Sequence, residues 1–173
     1  MINRFLTGFF LFTLFSCVAL ADVSYPGRFA QIDDFLYRGA RPTYANLETL
    51  KNVYLVKTIV TLDDNVEAVE QERQWAKELG MNFVSIPLNG FSRPSDHDVN
   101  LILSHLILSS KTNRVYLHCK HGKDRTGVLS ALYRVFYQGW DKERAYDEMM
   151  DMGFAWILFP LRQYFWYRVQ NYP

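Results

Sequence analysis

The chain has 173 residues, of which 49% are hydrophobic and 16% aromatic, and its formal net charge is +1. This length and composition suit one folded domain with a substantial core and exclude a disordered chain. The near-neutral charge provides no basic footprint, so we expect no nucleic-acid partner.

The first segment has the pattern of a secretory signal peptide. A positively charged start precedes an apolar stretch at residues 5–20, and Ala19-Leu20-Ala21 is typical of a cleavage site. We therefore expect residues 1–21 to be removed, leaving residues 22–173 as the mature domain in the periplasm or secreted medium.

Two other interpretations of this segment stay open. A transmembrane anchor is disfavoured because the apolar run is short for a full span, so we expect no stable membrane span. Lipoprotein processing at Cys17 is the other, although the bulky Phe15 makes a poor site. Cleavage after Ala21 would leave Cys119 as the single cysteine of the mature chain.

Strands and helices alternate along the rest of the chain. Short runs rich in branched and aromatic residues predict strands at 35–38, 53–62, 82–88 and 114–118. Apolar periodicity between capping residues and glycines predicts helices at 43–51, 66–79, 94–110, 126–138, 141–152 and 160–170. This alternation predicts a single α/β domain with a mainly parallel sheet covered by helices on both faces.

Polar residues follow three of the predicted strands. They are Cys119, the pair Asp63 and Asp64, and the dipeptide Asn89-Gly90. In open α/β sheets, ligands bind beyond the carboxyl ends of the strands. The sequence therefore predicts one active site at that edge.

Ten residues from His118 to Gly127, with the sequence HCKHGKDRTG, connect the last predicted strand to a predicted helix. A loop at a helix start gathers backbone N–H groups around an anion. Cys119 at its base would be a thiolate that attacks phosphorus and forms a phosphocysteine intermediate. Arg125 would bind two phosphate oxygens through its planar guanidinium.

Other residues of this loop have expected roles of their own. Gly122 lets the backbone turn toward the anion, and the hydroxyl of Thr126 either donates to the Cys119 sulfur or caps the helix. We expect His118 to shape the loop by hydrogen bonding rather than to act as a base. The remaining candidates for substrate contact are Lys120, His121, Lys123, Asp124 and Gly127.

The string HCKHGKDRTG resembles the signature loop of the protein tyrosine phosphatase superfamily, most closely its small atypical dual-specificity type. The residues FLYRGA at 35–40, and Tyr133-Arg134 followed by Gln138-Gly139-Trp140, also look like that group. The resemblance covers roughly residues 29–154. It implies phosphomonoester hydrolysis, a central sheet of four or five strands, and no metal or other cofactor.

The position of the general acid does not match the pattern of this family. The family places an aspartate on a loop before the cysteine, and the matching position here is Asn89-Gly90, which has no acid. We expect Asp96 to serve instead. The alternatives are Asp124, Asp63, Asp64 and Asp98, the last of which forms a predicted capping box with Ser95. A substrate with a good leaving group would need no strong acid.

Two lysines inside the loop bear on the substrate. Lys120 and Lys123 would focus a positive field on a polyanion. Lipid phosphatases of the tensin-homologue type have lysines at the same two positions, so the resemblance implies an inositol polyphosphate or phosphoinositide substrate. A phosphoprotein phosphatase of tyrosine or dual specificity is the alternative, and a non-catalytic phosphate-binding module is a minor one.

Overall fold

Five strands form one sheet in a computed structural model that describes residues 23–171; the predicted signal peptide lies outside the described residues. The strands are β1 (Ala30–Asp33), β2 (Leu36–Ala40), β3 (Val56–Thr61), β4 (Asn82–Ser85) and β5 (Arg114–Cys119). The helices are α1 (Tyr44–Asn52), α2 (Val66–Glu78), α3 (Asp96–Ile107), α4 (Arg125–Gln138), α5 (Lys142–Asp151) and α6 (Phe159–Asn171).

The sheet has the order β1-β2-β5-β3-β4 and is mainly parallel. Strands β2, β5, β3 and β4 run parallel to their neighbours, and β1 pairs with β2 in the antiparallel direction. The predicted α/β fold, with a mainly parallel sheet of four or five strands, is confirmed. Since β5 lies between β2 and β3, its carboxyl end is flanked by polar loops on both sides.

The side chains of β5 alternate between the two faces of the sheet, and each face has its own apolar core cluster. Val115 and Leu117 point into the larger apolar cluster, which includes Val128 and Leu132 of α4. Tyr116 points to the opposite face, into a smaller cluster with Leu47 of α1. Because successive side chains of a strand point to opposite faces, Cys119 lies on the α4 side and His118 on the α1–α2 side.

Several predicted boundaries were wrong. Strand β3 begins at Val56, not at residue 53, because Leu55 takes a left-handed conformation with φ of 56°. Strand β4 ends at Ser85, and helix α3 is confined to Asp96–Ile107 with Ser95 as its N-cap. Strand β1 was not predicted, since its four residues, AQID, form a short run with a single β-branched residue.

Several helix termini have side-chain or glycine caps. The hydroxyl of Thr43 accepts a hydrogen bond from the Asn46 N–H at the start of α1, and Asp141 caps α5. Gly139 ends α4 in the left-handed conformation that favours glycine. Among residues 23–171, no helix combines the length and apolar character needed to cross a bilayer.

Candidate active site

The carboxyl ends of β5 and β3 and the loop after β4 enclose one pocket with a volume of about 260 Å³. Its walls bring together the three polar segments that the sequence predicts at strand ends. The lining residues are Asp64, Gly90, Phe91, Cys119, Lys120, His121, Asp124, Arg125 and Leu158. Of the residues expected at this edge, Cys119, Asp64 and Gly90 line the pocket, whereas Asp63 and Asn89 are not among its lining residues.

Cys119 is the last residue of β5 and forms the base of this pocket. It is 2% exposed and has no disulfide partner among the described residues. Directly behind it, His118 is fully buried on the opposite face of the sheet. Nδ1 of His118 lies 3.4 Å from the carbonyl oxygen of Cys119, a long hydrogen bond that links the ring to the cysteine backbone.

The loop after Cys119 is fixed against the end of β2. Gly122 has φ of 71°, and a Cβ there would lie 2.4 Å from the Gly39 carbonyl carbon. Nη2 of the buried Arg38 donates to the Gly122 carbonyl oxygen at 2.9 Å. Burial lowers the pKa of Arg38 to about 10, so the side chain remains a cation at neutral pH. Close contact with the backbone of β2 and the hydrogen bond from the buried Arg38 guanidinium therefore fix the loop.

Arg125 starts α4, and its guanidinium is held along one edge. Nη1 donates to the Leu62 carbonyl at 3.1 Å and to the Leu88 carbonyl at 2.9 Å. The same nitrogen lies 2.7 Å from Oδ1 of Asp64. Carbonyl groups that follow β3 and β4 therefore fix the orientation of the phosphate-binding candidate before any anion arrives.

Thr126 does not cap α4. The N-cap is Asp124, which makes no side-chain capping bond. The Thr126 hydroxyl is buried and has no hydrogen-bond partner in the described part of the chain. A buried hydroxyl without a partner costs free energy, and that cost is consistent with a donor reserved for the Cys119 sulfur.

The remaining loop residues separate into two groups. Lys120, His121 and Asp124 line the pocket. Lys123 does not, and its Nζ lies 4.0 Å from Oδ2 of Asp124. Gly127, in the first turn of α4, lies outside the pocket lining, and a Cβ there would lie 3.1 Å from Cγ of Met149.

The structure corrects the expectation for Asp96. This residue begins α3 and lies outside the pocket lining. Its Oδ1 accepts a hydrogen bond from the Tyr164 hydroxyl at 2.8 Å and lies 3.5 Å from Nη1 of Arg168. Asp96 therefore joins α3 to α6. Asp98 exchanges hydrogen bonds with its N-cap Ser95, which accounts for it structurally.

The two neighbouring aspartates after β3, Asp63 and Asp64, differ in burial and in hydrogen-bond partners. Asp63 is buried and accepts from Nε of Arg41 at 2.8 Å. Burial alone would raise the pKa of Asp63, but hydrogen bonds from Arg41 and the Asn65 amide outweigh it and lower the pKa below its usual value. Asp64 lies on the pocket wall with about half of its side chain exposed (49%). Of this pair, Asp64 lines the pocket and Asp63 does not.

Sequence reasoning missed three residues that shape the site. Phe91 and Leu158 line the pocket, and Leu158 comes from the turn before α6. That turn is attached to the loop because the Ala155 amide donates to Oδ1 of Asp124 at 2.8 Å. Glu72 of α2 is buried beside His118. Helical spacing could have found Glu72, because it lies on one stripe with Val69 and Ala76.

Comparisons with known proteins agree with this geometry. Residues 12–155 match the model of a family described as a DSP-PTPase phosphatase fused to NAD+ kinase. The chain is 35% identical over 120 residues to the dual specificity protein phosphatase TpbA of Pseudomonas aeruginosa, covering 69% of this chain and 52% of the relative. It is 24% identical over 136 residues to the inositol diphosphatase SIW14 of Saccharomyces cerevisiae, covering 77% and 48%.

The chain thus spans about half the length of these curated relatives. The crystal structure of TpbA superimposes with a TM-score of 0.68 at 29% identity, covering 80% of this chain and 83% of that one. The catalytic core of SIW14 superimposes with a TM-score of 0.73 at 22% identity, covering 88% and 89%, a likeness of fold.

Proposed function

This chain belongs to the DSP-PTPase family, the dual-specificity type of the protein tyrosine phosphatase superfamily, and from that premise we propose its reaction. In this proposal the chain is a cysteine-dependent phosphomonoester hydrolase that acts on inositol polyphosphates or phosphoinositides. The observation that carries the proposal is the pocket itself, with Cys119 at its base, Arg125 fixed beside it and Lys120 on its wall.

The reaction follows from these positions. The Cys119 thiolate attacks phosphorus while Arg125 binds two of the phosphate oxygens in the transition state. The bond from phosphorus to the ester oxygen breaks, and that oxygen takes a proton as it leaves. Water then attacks the phosphocysteine, releasing inorganic phosphate and restoring the thiolate. The Thr126 hydroxyl stabilises the departing sulfur in this second step.

Asp64 is the proton donor in this proposal. Of the carboxylates considered from the sequence, Asp64 and Asp124 line the pocket, whereas Asp63, Asp96 and Asp98 do not. Asp124 is oriented by its hydrogen bond from the Ala155 amide, and Asp64 is the more exposed of the two. A dianionic phosphate competes for Arg125, and the Asp64 carboxylate, once released from Arg125, takes up a proton from water and donates it to the leaving oxygen.

The charge of the pocket rim supports a polyanion. Lys120 and His121 line the pocket, and Lys123 lies just outside it. Cationic side chains around a concave site raise the local concentration of polyvalent anions. The relative SIW14 is named an inositol diphosphatase, and the same substrate class fits this rim.

A second candidate is a tyrosine or dual-specificity protein phosphatase. The relative TpbA bears that name, and Phe91, which is 82% exposed, offers a flat apolar face on the pocket wall. An aromatic ring stacks favourably against such a face. The non-catalytic phosphate-binding module remains the minor alternative.

One panel of assays separates these functions. Phosphate release is measured from inositol hexakisphosphate, a phosphotyrosine peptide and an aryl phosphate, with Cys119→Ser as the control. We expect the highest kcat/KM with inositol hexakisphosphate and no release by the control. Release from the peptide alone would replace the lead proposal with the protein phosphatase. Tight phosphate binding without any release would indicate the binding module.

Export to the periplasm or medium is a separate proposal, supported by the sequence pattern of residues 1–21. Mass spectrometry of the mature N-terminus tests it. Chains beginning at Asp22 are expected, while retention of Met1 or a lipid on Cys17 would contradict the proposal.

A further inference from the structure

Large apolar side chains are exposed along one edge of the pocket. Trp156 and Ile157 are each 63% exposed, Phe159 is 44% exposed and Phe91 is 82% exposed. Phe91 and Leu158 line the pocket itself, and the Trp156 and Phe159 rings lie 6.1 Å apart. We call these five residues the apolar rim. Contiguous exposed apolar groups mark interaction sites, and the reaction proposed above gives Trp156, Ile157 and Phe159 no part.

Hydrogen bonds fix the turn between α5 and α6 that carries most of the rim. The Ala155 amide donates to Oδ1 of Asp124 in the catalytic loop at 2.8 Å. The Leu158 amide donates to the Ala155 carbonyl at 2.9 Å, and the Phe159 amide donates to the Ile157 carbonyl at 2.8 Å. The turn is therefore closed on itself and attached to the catalytic loop, so its exposed apolar side chains keep a constant position beside the pocket.

Cationic side chains border the apolar rim. The guanidinium carbon of Arg162 lies 4.7 Å from the centroid of the Phe159 ring. Lys120 is exposed and lines the pocket together with Leu158. Neither cation forms a salt bridge within residues 23–171, and residues 152–173 contain no aspartate or glutamate. The rim thus combines apolar surface with adjacent positive charge.

The carboxylates of the pocket do not cancel this charge. Asp64 pairs with Arg125 at 2.7 Å. Asp124 accepts the hydrogen bond from the Ala155 amide and lies 4.0 Å from Nζ of Lys123. Each carboxylate that lines the pocket therefore has a cation of its own nearby, and the charges beside the rim remain unbalanced.

We propose that the apolar rim docks peripherally on an anionic phospholipid surface. Tryptophan and phenylalanine side chains enter the boundary between headgroups and acyl chains, and neighbouring lysines and arginines are attracted to anionic headgroups. The inference rests on the proposed function only for the substrate. Because Phe91 and Leu158 belong to both rim and pocket, the docked pocket opens at the level of the lipid phosphates. The substrate class there is a phosphomonoester on a lipid headgroup.

A second copy of this chain fits the rim less well. In a symmetric contact between two rims, the same patch meets itself. Arg162 of each copy would then approach the cations of the other, and residues 152–173 offer no carboxylate to receive it. Such a contact would also cover both pockets. An anionic lipid surface provides the opposite charge and a substrate phosphate together.

The test uses vesicles without phosphorylated inositol, so it needs no turnover. The protein is sedimented with vesicles of phosphatidylcholine, with and without phosphatidylglycerol. We expect binding that requires phosphatidylglycerol and weakens as salt is added. Trp156→Ser and Ile157→Ser should each weaken binding at least about tenfold. The matched control for Ile157→Ser is Leu108→Ser. Leu108 is also 63% exposed but lies at the end of α3, outside the rim, so binding should not change.

Fluorescence of Trp156 locates the contact. Vesicles should shift the emission of the native chain to shorter wavelength as Trp156 leaves water. Trp156→Phe keeps an aromatic side chain, so it should sediment with the vesicles but lose this shift. Native chain and variants have the same N-terminus, so any lipid affinity of residues 5–20 is common to all of them. No shift in the native chain, or an equal shift in Trp156→Phe, would overturn the proposal.

Other occupants of the rim predict other results. A dimer that Trp156→Ser dissociates, without vesicle binding, would replace the lipid surface with a second copy. Loss of turnover on a phosphotyrosine protein in Trp156→Ser, again without vesicle binding, would replace it with a phosphoprotein. Vesicle binding without phosphate release from any substrate would refute the proposed function and leave the docking intact. Phosphate release from soluble substrates by a chain that does not bind vesicles would refute the docking alone.

Discussion

Arg125 and Asp64 form an ion pair on the wall of the pocket, with Nη1 of the guanidinium 2.7 Å from Oδ1 of the carboxylate. The same Nη1 also contacts two main-chain carbonyls, so its position is set by the sheet rather than by Asp64 alone. A phosphate dianion is a stronger partner for Arg125 than one carboxylate. Substrate binding and release of Asp64 are therefore coupled.

Asp64→Asn tests this coupling. With an alkyl phosphate, kcat should fall by at least about a hundredfold, the usual contribution of a positioned acid. With an aryl phosphate the loss should be smaller, because the leaving group needs less protonation. Steady-state kinetics on the two substrates provide the comparison.

Asp96→Asn is the matched control for that substitution. Asp96 pairs with Tyr164 away from the pocket, so turnover and its pH profile should not change. If Asp96→Asn removes turnover of the alkyl phosphate while Asp64→Asn does not, the assignment of the acid to Asp64 is refuted.

Lys120→Ala tests the selectivity for polyanions. Lys120 lines the pocket, so its removal should raise KM for inositol hexakisphosphate roughly tenfold while changing KM for an aryl phosphate much less. Lys123→Ala should have a weaker effect, because Lys123 lies outside the lining. The control is Lys77→Ala, on the exposed surface of α2. Equal losses on both substrates would show that Lys120 acts on the loop and not on the substrate.

Gly122→Ala tests the anchoring of the loop on β2. The added Cβ would meet backbone atoms of Gly39 and Ala40 at 2.4 to 2.5 Å, and backbone cannot yield as a side chain can. We expect kcat/KM to fall by at least about a hundredfold because the loop must move. Gly139→Ala is the control: its φ of 67° is equally left-handed, but nothing lies within 4 Å. It should cost about 1–2 kcal/mol of stability and spare activity. Similar activity losses in both variants would contradict the anchoring.

Arg41→Met tests the buried contact with Asp63. The pKa of Asp63 is lower in the folded chain than its usual value, so this carboxylate stabilises the fold above the usual pKa, and the contribution is lost as pH falls through the folded-state pKa. At neutral pH the variant should be less stable by about 1.5–3 kcal/mol, as expected for hydrogen bonds to a charged group. The difference in the free energy of unfolding between native chain and variant should become smaller in acid. Urea unfolding at several pH values measures this difference, and a difference that does not change with pH would exclude the Asp63 contribution.

Much of the site could be predicted from local sequence. The spacing of Cys119, Gly122 and Arg125 defines a loop between a strand and a helix, and the pocket forms around it. Local sequence also places Asp63 and Asp64 at the end of β3. It cannot show that one of them turns inward to Arg41 while the other faces the pocket.

Other features depended on tertiary contacts that sequence patterns do not reveal. Asp96 is the carboxylate that the sequence led us to expect as the general acid. In the fold, α6 approaches α3, and the Tyr164 hydroxyl donates a hydrogen bond to Asp96. Arg38 reaches Gly122 across 84 residues of chain. Leu158 joins the pocket because its turn is attached to Asp124. Each of these pairings arises from packing between distant segments, so no local motif encodes it.

The most direct test of the central claim is chemical trapping of the intermediate. Native chain and Cys119→Ser are mixed with an aryl phosphate, quenched in acid during turnover and analysed by peptide mass spectrometry. A phosphoryl group on Cys119 of the native chain, with no adduct and no turnover in Cys119→Ser, is the predicted result. Undiminished phosphate release by Cys119→Ser would contradict the account.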